Sequence, residues 1–255
     1  MAVIALTSAS GSPGVTTTAV GLAMSWPRPV VLVEADPTGG SGILAGFFRG
    51  VRDYEAGLFE LALAPVGVAD ALAEVTQRVE ETQVSFVAGT RSHLQSAGLR
   101  EMWEPLANAL ADLESTGQDV IVDAGRLGLA GSPEPLLAVA DLTLLVTRTS
   151  LPALSAARSW ADSLVHDSLS WRLPGLLVIG EGQPYPAKTI AEVLKLPVVA
   201  KVADYPDGAA VYYRGAEPPR RFETSPFVRS LRAAVESLQT QIARSRIALL
   251  DEVSS

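Results

Sequence analysis

Between residues 8 and 18 the chain reads Ser8-Ala9-Ser10-Gly11-Ser12-Pro13-Gly14-Val15-Thr16-Thr17-Thr18. An apolar run precedes this stretch and a helical pattern follows it. Small residues in that setting let backbone N–H groups converge on an anion, and a helix N-terminus adds its partial positive charge. Glycine and serine also allow a phosphate to approach the main chain closely. The plainer alternative is an N-cap by serine or threonine. Acidic residues close two other apolar runs: Glu34 and Asp36 after the second, Asp123 after the fourth. Asp36 precedes Pro37, a pair that starts turns. Asp123 suits a cap on the element beyond its strand, and Glu34 a structural acceptor.

Composition removes other chemistries. There is no cysteine, which excludes a disulfide framework, a thiolate zinc site and a cysteine nucleophile. The two histidines, His93 and His166, stand far apart and suit solvated or core-edge positions rather than a multi-histidine metal site. Trp103, Trp160 and Trp171 suit packing roles. Twenty basic residues against 28 acidic ones give a net charge of -8, a field that repels nucleic acid overall. The C-terminal part is locally basic, through Arg214, Arg220, Arg221, Arg229, Arg232, Arg244 and Arg246. The tail Leu249-Leu250-Asp251-Glu252 adds acid where an anionic membrane would favour base. Lys188, Lys195 and Lys201 are the only lysines, so the whole loop region lacks one.

The elements that must position these residues follow from periodicity. Seven short Val-, Ile- and Leu-rich runs, at 3–7, 30–34, 84–88, 120–123, 142–147, 175–179 and 198–202, show little polar alternation. They read as strands buried on both faces, as in a parallel sheet. Between them, apolar residues at three- and four-residue steps predict helices over 69–81, 98–116 and 152–165. A last helix, at about 226–247, lines up Phe227, Leu231, Ala234, Val235, Leu238 and Ile242. Strand–helix alternation predicts one α/β domain over 1–255, with a doubly wound, mostly parallel sheet of seven or eight strands. No apolar run is long enough to cross a bilayer, and the start lacks the basic region of a signal peptide. A cytoplasmic location is expected.

Taken together, the motifs resemble the MinD/ParA-type ATPases of the SIMIBI class, whose deviant Walker A loop has the form G-K-G-G-x-G-K-T-T. Gly11, Gly14, Thr16 and Thr17 match it. Ala9 and Ser12 replace glycines, Ser10 replaces the signature lysine, and Val15 replaces the Walker lysine. The segment from Glu34 to Gly40 resembles the motif D-x-D-P-x-G-G, where the aspartate before proline helps position the attacking water. Asp119 to Gly125 resembles the Walker B strand, whose terminal aspartate reaches magnesium through water. The resemblance spans nearly the whole chain. The degenerate loop and Phe86-Val87-Ala88-Gly89 are similar to the CpaE/TadZ-like branch linked to pilus assembly and septum-site regulation.

That resemblance implies a P-loop fold and ATP or ADP with magnesium as the ligand. Gly11, Ser12, Gly14, Val15, Thr16 and Thr17 would form the nucleotide cradle. Thr16 and Asp123 would serve magnesium, and Asp36 would be the remaining catalytic group. It also implies a homodimer, and protein partners in a positioning, pilus, secretion or septum system. Peripheral contact with nucleoid DNA or membrane would use the arginine-rich C-terminal region.

The departures weaken that site. A charged hydrogen bond to phosphate is worth about 1.5–3 kcal/mol, and phosphoryl transfer depends on neutralising the phosphate oxygens. Pro13 removes a possible backbone donor. Where the family carries an adenine-reading Asn-Arg pair, this chain has Gly180 and Glu181, which would bring negative charge to the base pocket. The expectation is a degenerate spatial organiser with little or no ATP hydrolysis, its nucleotide pocket empty or holding a ligand only weakly. The alternative is a working, nucleotide-driven dimerising switch in which Arg126, Arg148 or Arg214 replaces lysine. A dethiobiotin-synthetase-like ligase ranks behind both, because it also needs the loop lysine. A nucleoid-binding module using the C-terminal arginines is a further class.

Overall fold

The computed structural model describes residues 2–165 and 171–253, with side chains left out at residues 114, 115, 165 and 249–253. His166 and the side chains of the 249–252 tail therefore lie outside the described residues. Eight strands form one sheet: β1 Val3–Ser8, β2 Val30–Glu34, β3 Gln77–Arg78, β4 Val84–Val87, β5 Asp119–Arg126, β6 Leu142–Arg148, β7 Pro174–Ile179 and β8 Val198–Val202. The α-helices are α1 Val15–Met24, α2 Leu58–Ala62, α3 Val68–Val75, α4 His93–Ser96, α5 Trp103–Asp112, α6 Glu134–Val139, α7 Leu151–Val165, α8 Ala187–Leu194, α9 Pro206–Arg214 and α10 Pro226–Val253.

The strand order is β3-β4-β2-β5-β1-β6-β7-β8. Every pairing is parallel except that of β3 with β4. The doubly wound sheet expected from the apolar runs is therefore the one observed. β1 lies between β5 and β6: the connection from β1 to β2 runs toward one edge of the sheet, and that from β5 to β6 crosses β1 toward the other. In such a fold a crevice opens beyond the carboxyl ends of the strands at that point.

The sheet has a core on each face. α1 and α10 contribute Ala19, Leu22, Leu231 and Leu238 to one. α3, α5, α6, α7 and α8 contribute Leu72, Leu106, Leu137, Ala157 and Ile190 to the other. All six apolar residues aligned on the last helix are buried. Burying each large one stabilises the fold by about 1.5–3 kcal/mol. The helix itself runs to Val253, beyond the expected end at 247.

The expected helix over 69–81 is corrected. α3 ends at Val75, Thr76 turns to extended backbone, and β3 follows. Leu72 and Val75 pack into one core, whereas Val79 packs against the other. The three residues match helical spacing, but the chain passes around the sheet edge between them. The expected helix over 98–116 is helical throughout in three pieces, with a tight 3-10 turn before α5 and another after it.

Candidate functional site

A cavity of about 760 Å³ opens at the carboxyl ends of β1, β5, β6, β7 and β8. One end is floored by Ser8, Gly11, Ser12, Pro13, Gly14 and residues 15–18. The loop leaves β1 and enters α1 through Gly14, the N-cap, whose φ is 112°. Ser12 also has positive φ, 52°. That left-handed conformation costs a non-glycine residue roughly 1 kcal/mol. The main chain thus holds a glycine-like shape at a position where the side chain is serine. Val15 is buried and joins the core beneath α1.

Asp36 lines the same cavity. It also forms the turn read from the Asp-Pro pair, because Thr38 N–H donates to its Oδ1 at 2.9 Å. Gly125, with φ 60°, lies against it, and a Cβ there would collide with the Asp36 carboxylate. Asp123 sits deeper, fully buried at the middle of the sheet. Its Oδ1 accepts Gly125 N–H at 3.1 Å. Its Oδ2 has no partner. Burial pushes the Asp123 carboxyl up to about 7; the nearby Thr16 hydroxyl opposes this, and the Glu34 and Asp36 charges add to it. The Thr16 hydroxyl is near enough to draw that pKa down, and Oδ2 has no hydrogen-bond partner among the described residues. An orphaned carboxylate oxygen beside a hydroxyl is donor chemistry for a hard cation.

Glu34 plays the structural part. It is buried and accepts Ser41 Oγ–H at 2.5 Å, Gly89 N–H at 3.0 Å and Ile43 N–H at 3.1 Å. Burial raises its pKa, and these donors pull against that shift. The carboxylate ties the segment after β2 to the end of β4. A second, smaller cavity of about 120 Å³ lies here, lined by Thr16, Glu34, Asp36 and Thr90 among others. Thr90 Oγ1 is the other buried side-chain oxygen without a partner among the described residues. No group of three or more acidic or histidine side chains there is arranged to hold a metal by itself.

At the far end of the large cavity, Ile179, Val202, Ala209, Tyr205 and Phe227 form an apolar wall. Glu181, expected to charge this end, does not line it. The side chain turns to Lys201, paired at 2.8 Å, and to Ala187 N–H. Lys201 holds its carboxyl below the usual range. The acid at the cavity is instead Asp204, paired with Arg148 at 2.6 Å. Sequence reading missed Asp204. The available signal was an acidic residue just past a strand and two before a proline, much as Asp36 follows β2. Gly180, with φ 72°, leaves room that the Asp204 side chain fills.

The remaining candidates scatter. Trp103 is buried and donates to Gly131 O at 3.1 Å, while Trp160 and Trp171 pack against the same core. Two of the C-terminal arginines are engaged: Arg232 with Glu223, and Arg246 with Asp141. Among the described residues no helix is long and apolar enough to cross a membrane.

Comparison with solved structures places this geometry. The septum site-determining protein MinD of Pyrococcus horikoshii OT3, complexed with Mg-ADP, superposes with a TM-score of 0.73 over 96% of this chain and 98% of its own, at 16% identity. This chain has the MinD/ParA fold. MinD in the MinC:MinD cell division protein complex of Aquifex aeolicus gives a TM-score of 0.72, at 15% identity, over 94% of this chain and 96% of that one. A ParA family ATPase of Chlorobium tepidum TLS gives 0.70, at 13% identity, over 92% and 97%. No family model matches the sequence, and no curated protein matches it. Within the MinD/ParA fold, the 8–18 loop occupies the strand–loop–helix position at the crevice.

Proposed function

We propose that this single-domain chain is a MinD/ParA-like spatial organiser that turns over little or no ATP. The observation that carries the reading is the loop itself. Its main chain keeps the cradle, with Ser12 and Gly14 both at positive φ, while Ser10 and Val15 bring no charge and Val15 is committed to the core. Phosphoryl transfer needs its developing charge neutralised in place. A neutral loop holds a phosphate through backbone donors but does little to accelerate its transfer.

The cradle of Gly11, Ser12, Gly14, Val15, Thr16 and Thr17 fits a nucleotide phosphate. The unpartnered Asp123 Oδ2 beside Thr16 fits a hydrated magnesium ion. When bound, that ion would supply charge neutralisation at the phosphates. The chain's own groups hold positions: Thr16 offers its hydroxyl, Asp123 an oxygen, and Asp36 a site for a water. The Pyrococcus protein's Mg-ADP and the Aquifex protein's MinC support a nucleotide pocket and a protein partner for this chain too. Function would then come from a homodimer and from partners in a positioning, septum, pilus or secretion system, in the manner of the CpaE/TadZ-like branch. The location would be cytoplasmic, with peripheral contact with membrane or nucleoid through the C-terminal arginines.

One observation favours a working ATP switch: Asp36 and the orphaned Asp123 are both in place. Single-turnover phosphate release separates the readings. The scaffold reading expects no magnesium-dependent release above a buffer control. Release that Asp36→Ala abolishes would establish the switch.

A further inference from the structure

We propose that Arg126 supplies the positive charge for a phosphate-bearing ligand held by the 8–18 loop, standing in for the lysines that the loop lacks. This rests on reading the cavity as the nucleotide end of the fold and is independent of whether hydrolysis follows.

The charge inventory of the large cavity points to this residue. Its charged lining groups among the described residues are Asp36, Arg126, Arg148 and Asp204. Arg148 and Asp204 neutralise each other at 2.6 Å. Arg214 stacks over the Tyr213 ring at 5.6 Å and does not line the cavity. Arg126 is exposed and makes no ion pair among the described residues. Of the three arginines that could replace a lysine, it alone faces the cavity uncommitted.

Its backbone is fixed against the loop. Arg126 ends β5 in register with Ser8, the residue that opens the loop. Leu127 N–H donates to Ser8 O at 2.9 Å. The Thr7 hydroxyl donates to Gly125 O at 3.2 Å, and the Ser8 hydroxyl, which donates to Ser10 O at 3.0 Å, lies 3.4 Å from the same oxygen. Both peptide neighbours of Arg126 are thus tied to β1 where it becomes the loop. The strand end thus places the arginine beside the loop, and its planar guanidinium fork matches phosphate oxygens with less freedom lost per hydrogen bond than a lysine ammonium.

Two further features point to a ligand. Asp123 Oδ2 is fully buried without a partner beside Thr16, on the first turn of α1. The opposite cavity wall, with Ile179, Val202 and Tyr205, offers apolar surface to a flat ring. An anionic head against loop and arginine, with a flat apolar body beyond, describes a nucleoside di- or triphosphate.

The test is equilibrium titration with fluorescent ATP and ADP analogues in magnesium, reading anisotropy. Wild type should saturate, Arg126→Ala should bind about tenfold more weakly or worse, and Arg126→Lys should recover much of the loss. Arg214→Ala should match wild type. A fluorescent adenosine analogue without phosphate should not distinguish Arg126→Ala from wild type. Unchanged melting temperatures establish that each variant is folded. If Arg126→Ala binds like wild type, the assignment of Arg126 is wrong. If wild type fails to saturate at millimolar analogue, the phosphate-ligand inference falls while the scaffold reading stands.

Discussion

Two regions meet across Thr16, and they are built to opposite rules. On one side, residues 8–18 form a strand-to-helix loop and first helical turn, exposed only at Gly11 and Ser12, whose backbone is specific and whose side chains are neutral. On the other, the ends of β2 and β5 bring Glu34, Asp36 and Asp123 together in a packed setting. Glu34 is saturated with donors, Asp36 is tied into a turn, and Asp123 keeps one oxygen unpaired. The acidic side carries charge that nothing local balances, and burial with like charges raises the Asp123 pKa to about 7. The loop side carries shape without charge. A triphosphate site needs both. Here the main chain of the loop supplies the shape, and Arg126 at the neighbouring strand end is the cation proposed above.

The contrast predicts an intolerant acidic side. Gly39 has φ 76°, and a Cβ there would collide with backbone atoms of Ser92 and His93. Gly39→Ala should therefore destabilise by about 3 kcal/mol or more, read as a fall in denaturation midpoint, because neither backbone can yield cheaply. An effect below about 1 kcal/mol would show that this side is looser than its packing implies.

Asp123 gives the next largest effect. Its folded pKa lies above the unfolded value, so the ligand-free fold binds more protons than the unfolded chain between about pH 4 and 7. Its contribution to stability is fully present below pH 4 and is lost as pH rises through 7. Asp123→Asn removes that loss. The variant should be more stable than wild type by roughly 2–4 kcal/mol at pH 8, with the gap closing on acidification. Urea melts at pH 5 and pH 8 check it.

On the loop side the expected change is small and of opposite kind. Ser12→Gly relieves a positive φ and should stabilise by about 0.5–1 kcal/mol. A destabilisation would mean that the serine side chain, rather than the backbone, holds the loop.

Local chemistry made the loop, Asp36 and Asp123 legible in sequence, because each is marked by neighbours within a few residues. The seven apolar strands were legible for the same reason: burial on both faces leaves a continuous run. β3 was not, being two polar residues on an edge. Val79 misled because helical spacing says nothing of which face of a sheet a residue reaches. The Arg148–Asp204 pair was illegible in principle. Its members are 56 residues apart and meet only because β6 and β8 flank β7. Glu181 misled in the other direction, since Lys201 on β8 draws it away from the cavity.

In the proposed reading, the loop offers a phosphate cradle whose main missing feature is positive charge. The most direct test puts the charge back. Val15→Lys, checked for folding by its melting curve, is titrated with a fluorescent ATP analogue in magnesium beside wild type. An intact cradle predicts affinity at least about tenfold tighter, since one charged hydrogen bond to phosphate is regained. A folded variant that binds no better than wild type would contradict the account, because the main chain would then no longer have the form that a lysine there can serve.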